Sequence, residues 1–242
     1  MTGLPRAILF DLDETILTFG PRMEQLLAVA ADFVADGAVG AEALARVVDA
    51  RFAAFWADEA RHKAWRSRLA EARESVVVEA FAELAAAGAV GLTPEAARRF
   101  SDAFHALRAS RIAPFPDALD AVDKLRAAGV KLALITNGPT EVQRAKIERF
   151  DLARRFDHIQ VEGECGFGKP EPQAYQHALN ALGVASHEAW IVGDNLEWEV
   201  AAPQRLGLYA VWCDGYGVGL PAGGTVTPDR IIRSLAELLA SA

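Results

Sequence analysis

The sequence predicts an α/β protein built on a doubly wound parallel sheet, with a separate all-helical domain. Short apolar runs at residues 7–10, 130–135, 190–192 and 209–213 indicate strands that are buried on both faces. Helical segments, several of them closed by glycine, separate the later runs, so the chain alternates helix and strand from about residue 116. This alternation is typical of right-handed crossover units, in which ligand-binding loops gather at the carboxyl ends of the strands.

A second domain is predicted at residues 18–113. This stretch is rich in alanine, has almost no strand-like run and spaces its apolar residues at helical intervals. It follows the first strand directly and ends at Pro114-Phe115-Pro116, where proline disfavours a continuing helix. We therefore expect residues 1–17 and 114–242 to form the sheet domain, with residues 18–113 inserted as a helical domain.

Composition limits the partners and the compartment. The 242 residues are 52% hydrophobic and 24% charged, which allows a sizeable core. The formal net charge of -8 argues against nucleic acid and membrane partners, because both attract a basic face. Cys165 and Cys213 offer no disulfide framework, and the first apolar run stops at Asp11, too early for a secretion signal. We expect a cytoplasmic protein.

Two carboxylates follow the first predicted strand. The run ends in Asp11-Leu12-Asp13-Glu14-Thr15, and side chains two residues apart share one face of an extended chain. Like charges this close repel each other, which suggests a cation between them or divided roles as nucleophile and acid. Taken alone, the motif is equally compatible with an ordinary polar loop.

The next predicted strand ends in Thr136-Asn137-Gly138, which offers a hydroxyl, an amide and main-chain N–H groups to a phosphate oxygen. Without context, a helix cap followed by a turn explains these residues better. Lys169 stands in a loop stiffened by glycine and proline, and Asp194 follows the next strand, with Glu197 and Glu199 beyond it. Because parallel strands gather their carboxyl ends at one edge, coincidence at four loops is the weaker explanation.

The order Asp11-x-Asp13-x-Thr15, Thr136, Lys169 and Gly193-Asp194 with a later acid resembles the haloacid dehalogenase superfamily over the whole sheet domain. The insertion after the first motif is similar to the C1-type helical cap of that superfamily. The resemblance implies a Rossmann-like three-layer sandwich.

The resemblance also implies residue roles. Asp11 would attack phosphorus to form an aspartyl-phosphate, and Asp13 would protonate the leaving group and later activate water. Thr136 and Lys169 would hold the transferring phosphoryl group, with Asn137 assisting from the same loop.

The implied cofactor is Mg²⁺, held by the carboxylates of Asp11 and Asp194 and the main-chain carbonyl of Asp13. The chain departs from the family pattern at Glu199, where aspartate is usual. Glu197 is an alternative source of that carboxylate, and Thr15, Glu197 and Glu199 are expected close behind the metal and the reacting groups.

The implied activity is magnesium-dependent hydrolysis of small phosphorylated metabolites. A dehalogenase of the same superfamily is an alternative, but expulsion of halide needs no proton, so the presence of Asp13 favours a phosphatase. A phosphomutase shares all the core residues and stays open. A non-catalytic binding module with the same fold is a third alternative, against which the intact set of Asp11, Asp13, Lys169 and Asp194 argues.

Overall fold

The computed structural model describes residues 3–33, 39–57, 61, 64–65 and 68–241. The chain divides into two compact units. The sheet unit comprises Met1–Thr18 and Ala113–Ala242, and the helical unit comprises Phe19–Ile112.

Six of the strands in the described residues form one parallel sheet, in the order β5-β4-β1-β6-β7-β8. Two further strands, β2 and β3, pair antiparallel where the chain leaves the sheet unit and returns to it. The strands are β1 (Ala7–Phe10), β2 (Leu17–Thr18), β3 (Ala113–Pro114), β4 (Lys131–Thr136), β5 (His158–Val161), β6 (Ala189–Gly193), β7 (Tyr209–Cys213) and β8 (Arg230–Ile232).

The parallel sheet confirms the predicted α/β class. Strand β1 is buried along its whole length because it lies at the centre of the sheet, between β4 and β6. Its alternate residues face opposite sides, and both sets are shielded from solvent, as expected for a sheet covered on two faces. The carboxyl ends of β4, β1 and β6 therefore lie side by side.

The helical unit contains four long helices among its described residues: α1 (Arg22–Phe33), α2 (Ala41–Ala57), α3 (Leu69–Ala86) and α4 (Pro94–Arg111). The unit has an apolar core of its own, in which Phe52, Phe81, Phe100 and Phe104 are almost fully buried. Helix α4 begins with a regular cap, because the Thr93 hydroxyl accepts a hydrogen bond from Ala96 N at 3.1 Å. None of the described helices is long and apolar enough to span a bilayer.

The sheet unit adds helices α5 (Ala118–Ala127), α6 (Thr140–Arg149), α7 (Glu162–Cys165), α8 (Pro172–Leu182) and α9 (Ala202–Gln204). After β6 the chain does not form one continuous α-helix: a π-helical turn at Leu196–Ala201 is followed by the short α9. The Asn195 side chain starts this turn by accepting hydrogen bonds from Glu197 N and Trp198 N, each at 3.0 Å.

Candidate active site

A cavity of about 190 Å³ opens at the carboxyl ends of β4, β1 and β6. Its position follows from the sheet order, which places the loops after these three strands next to one another. Glu14, with a φ of 62°, turns the chain sharply after the first two carboxylates. The residues that line the cavity are Asp11, Asp13, Thr136, Asn137, Asp194, Asn195, Trp198 and Glu199.

Lys169 joins two carboxylates beneath this cavity. Its Nζ donates to Asp11 Oδ1 at 2.5 Å and lies 2.8 Å from Glu199 Oε1. Burial lowers the pKa of Lys169, but the negative charges of Asp11 and Glu199 outweigh it, so this pKa lies above its ordinary value. Lys169 is therefore a permanent cation beside Asp11.

Glu199 is oriented by the π-helical turn. Its Oε2 accepts a hydrogen bond from Asn195 N at 3.0 Å, and its side chain is 1% exposed. Burial raises the pKa of Glu199 to about 7, although the charge of Lys169 opposes the rise. The side chain also passes directly over Gly193, where a Cβ would lie 2.0 Å from Glu199 Cγ. The longer acid at this position thus depends on a glycine opposite it.

Asp13 is held from helix α6. Lys146 Nζ lies 2.8 and 2.7 Å from the two carboxylate oxygens of Asp13, and Gln143 Nε2 donates to Oδ2 at 3.0 Å. Neither residue was predicted from the sequence. Gln143 and Lys146 are three residues apart and therefore share one helix face with the buried Ile147. Two polar residues on a buried helix face indicate that they bind another polar group, and this pattern could have identified them.

The loop after β4 forms hydrogen bonds with the loop that carries Lys169. The Asn137 side chain donates to Lys169 O at 2.6 Å and accepts from Lys169 N at 2.9 Å. Thr136 is 2% exposed, and its hydroxyl lies 2.6 Å from Gln143 Nε2. Asn137 therefore joins the Thr136 loop to Lys169, and helix α6 contacts the Thr136 hydroxyl.

Two of the expected supporting residues lie apart from this cavity. Glu197 forms an ion pair with Arg205 at 2.5 Å and lines a separate surface groove. Thr15 is 1% exposed and lines a different cavity with Cys213. Of the three residues expected behind the reacting groups, the structure brings Glu199 into the cavity lined by Asp11.

Asp11 and Asp194 form an oxygen donor set that suits a hard divalent cation. Burial raises the pKa of Asp11, and the charge of Lys169 offsets this only in part. Burial, followed by the negative charges of Asp11 and Glu199, raises the pKa of Asp194 well above its usual value. In the described parts of the chain no three acidic, histidine or cysteine side chains converge as a complete metal site. Two carboxylates still fit an ion that keeps several of its waters.

The chain belongs to the haloacid dehalogenase-like hydrolases, the family that its motifs predicted. The family model described as haloacid dehalogenase-like hydrolase matches residues 5–207. In an alignment 255 positions long, the chain is 35% identical to a phosphoserine phosphatase of Thermus thermophilus. The alignment covers 96% of this chain and 97% of that protein.

Two solved structures show the same fold. A hydrolase of this family from Bacillus subtilis, described as bound to magnesium, has a TM-score of 0.72 at 20% identity, covering 98% of each chain. The L-2-haloacid dehalogenase from Xanthobacter autotrophicus has a TM-score of 0.62 at 17% identity, covering 97% of each chain. At these identities the likeness concerns the fold, and it does not separate phosphatases from dehalogenases.

Proposed function

We propose that the chain is a magnesium-dependent phosphatase that hydrolyses small phosphorylated metabolites. The observation that carries this proposal is the second carboxylate, Asp13, which lines the same cavity as Asp11 and is anchored by Lys146. A phosphate ester needs a proton donor for its leaving alkoxide, whereas halide departs without one. The full-length similarity to a phosphoserine phosphatase also supports a phosphate ester as the substrate.

Asp11 acts as the nucleophile in the proposed reaction. One of its oxygens attacks phosphorus, the ester P–O bond breaks, and Asp13 gives its proton to the departing alkoxide. Asp13 then takes a proton from water, whose oxygen attacks phosphorus of the aspartyl-phosphate and releases inorganic phosphate. Asp11 returns as a carboxylate and Asp13 returns protonated, so protons balance over the cycle.

Thr136 and Lys169 are proposed to hold the phosphoryl oxygens. The Lys169 ammonium offsets the repulsion between the Asp11 carboxylate and an incoming phosphate, since it already lies 2.5 Å from that carboxylate. Asn137 contributes by tying the Thr136 loop to the main chain of Lys169. Glu199 is assigned to Lys169, whose ammonium it contacts at 2.8 Å.

Asp11, Asp194 and the main-chain carbonyl of Asp13 would hold Mg²⁺. When bound, the ion neutralises the negative charge shared by the nucleophile and the phosphoryl group. The helical unit, inserted after β2, is proposed to be the C1-type cap domain of the enzyme.

Phosphate and halide release test this proposal. Purified protein is assayed with p-nitrophenyl phosphate, O-phosphoserine and chloroacetate, with Mg²⁺ and with chelator. We expect phosphate release that needs Mg²⁺, disappears in Asp11→Asn and, with O-phosphoserine as the substrate, falls roughly 10²–10⁴-fold in Asp13→Asn. Asp151→Asn makes the same chemical change on an exposed loop and serves as the control. Halide release without phosphate release would contradict the proposal and favour the dehalogenase.

A further inference from the structure

Two side chains of helix α6 contact both oxygens of the Asp13 carboxylate. Lys146 Nζ lies within 2.8 Å of each oxygen, and Gln143 Nε2 lies 3.0 Å from Oδ2. The Lys146 side chain is 9% exposed, whereas the Asp13 side chain is 30% exposed and lines the cavity. The carboxylate is therefore anchored from its buried side and open toward the substrate.

The same helix also contacts the Thr136-Asn137 loop, which is proposed to hold the phosphoryl group. Gln143 Nε2 also lies 2.6 Å from the Thr136 hydroxyl and 2.7 Å from Asn137 O. A single amide thus spans the proton-transferring carboxylate and the loop proposed to hold the phosphoryl group. Since Gln143 is 2% exposed, packing restricts its rotamer and with it the separation of the two groups.

A buried lysine is costly unless a partner compensates for its lost hydration, so Lys146 is unlike the solvated lysines of a protein surface. Its contacts with both oxygens of Asp13 restrict rotation of that carboxylate. Proton transfer depends steeply on such placement, and a misplacement of about 1 Å can cost roughly 10²-fold in rate.

We propose that Lys146 and Gln143 are positioning residues that aim Asp13 at the leaving-group oxygen. This inference rests on the proposed role of Asp13 as the proton donor. It predicts a dependence on the leaving group, because an alkoxide needs the proton to depart whereas p-nitrophenolate departs readily without it. Hydrolysis of the aspartyl-phosphate also uses Asp13 and is common to both kinds of ester, but kcat/KM covers only the steps up to departure of the leaving group. Loss of positioning should therefore lower kcat/KM for alkyl esters more than for aryl esters.

Lys146→Met tests the proposal, since it removes the ammonium and keeps an unbranched side chain. We expect kcat/KM for β-glycerophosphate to fall roughly 10–100-fold and kcat/KM for p-nitrophenyl phosphate to fall less than about threefold. Lys146→Arg should recover part of the loss on the alkyl ester. Lys124→Met is the matched control, because Lys124 also pairs with an aspartate, at 2.7 Å, but on an exposed helix face.

Gln143→Met examines the second donor and keeps the test valid if Lys146→Met does not fold. It should lower kcat/KM for the alkyl ester more than for the aryl ester, with a smaller loss common to both esters because Thr136 loses its contact. Equal losses of kcat/KM on both esters, or no loss, would overturn the proposal. Failure of the proposed function can be told apart from failure of this inference. If Asp13→Asn shows no selective loss on alkyl esters, the proposed function is contradicted. If Asp13→Asn shows that selective loss but Lys146→Met and Gln143→Met do not, only this inference is overturned.

Discussion

Glu199 departs from the family pattern, which has aspartate at this position. Its carboxylate lies 2.8 Å from the Lys169 ammonium. The ammonium of Lys169 is then shared between Glu199 and Asp11. The space for this longer side chain comes from Gly193, which presents no Cβ to it.

Gly193→Ala should disturb the lysine without touching any proposed reacting group. The added Cβ would lie 2.0 Å from Glu199 Cγ, so Glu199 must move and Lys169 loses one of its two carboxylates. We expect phosphatase turnover to fall at least about tenfold. The free energy of unfolding should fall by roughly 1–3 kcal/mol, as in other overpacked sites. Gly40→Ala is the control, since a Cβ there meets nothing within 4 Å. Equal behaviour of the two variants would contradict the expectation.

At the scale of elements, the packing of edge strand β5 on helix α8 involves histidines. The His158 and His177 rings lie 5.2 Å apart, and His177 Nδ1 is 2.8 Å from Gln160 Oε1. Burial and the charge of His177 lower the pKa of His158 below its ordinary value of 6.5, although Gln160 opposes this. The folded form therefore favours neutral His158.

This lowered pKa predicts a stability that depends on pH. Below 6.5 the unfolded chain binds a proton at His158 more readily than the folded chain, so stability falls on acidification through 6.5 toward the lower folded pKa. Urea midpoints between about pH 5 and 8 measure the effect. His158→Gln should lessen the loss of stability on acidification, whereas His187→Gln, at an exposed position, should leave it unchanged. A wild-type slope retained in His158→Gln would count against this assignment.

At the scale of the molecule, the two compact units have separate apolar cores. Phe100 lies in the core of the helical unit and Leu179 in that of the sheet unit, and both are at most 1% exposed. Each core should therefore respond to its own cavity mutations.

Hydrogen exchange can measure that independence. Phe100→Ala, which costs roughly 3–5 kcal/mol in a packed core, should raise amide exchange mainly within Phe19–Ile112. Leu179→Ala, at roughly 2–5 kcal/mol, should raise it mainly within Ala113–Ala242. Loss of protection spread evenly over both units in either variant would show that they unfold as one.

Local sequence patterns were enough to predict the α/β class, strands β1, β4, β6 and β7, and the family. These features are local, because an apolar run marks a doubly buried strand and a motif carries its chemistry within a few residues. Strand β5 left no such mark, since it lies at the edge of the sheet and His158 and Gln160 interrupt its apolar character.

The tertiary structure alone decided which distant groups meet. Lys146 contacts Asp13 across 133 residues of chain, and Lys169 contacts Asp11 across 158. The sheet order brings these segments together, because β1 is flanked by strands that follow the helical insertion. Pairing at such separations depends on strand neighbours and on which helix face is buried, and a single sequence does not specify these contacts locally.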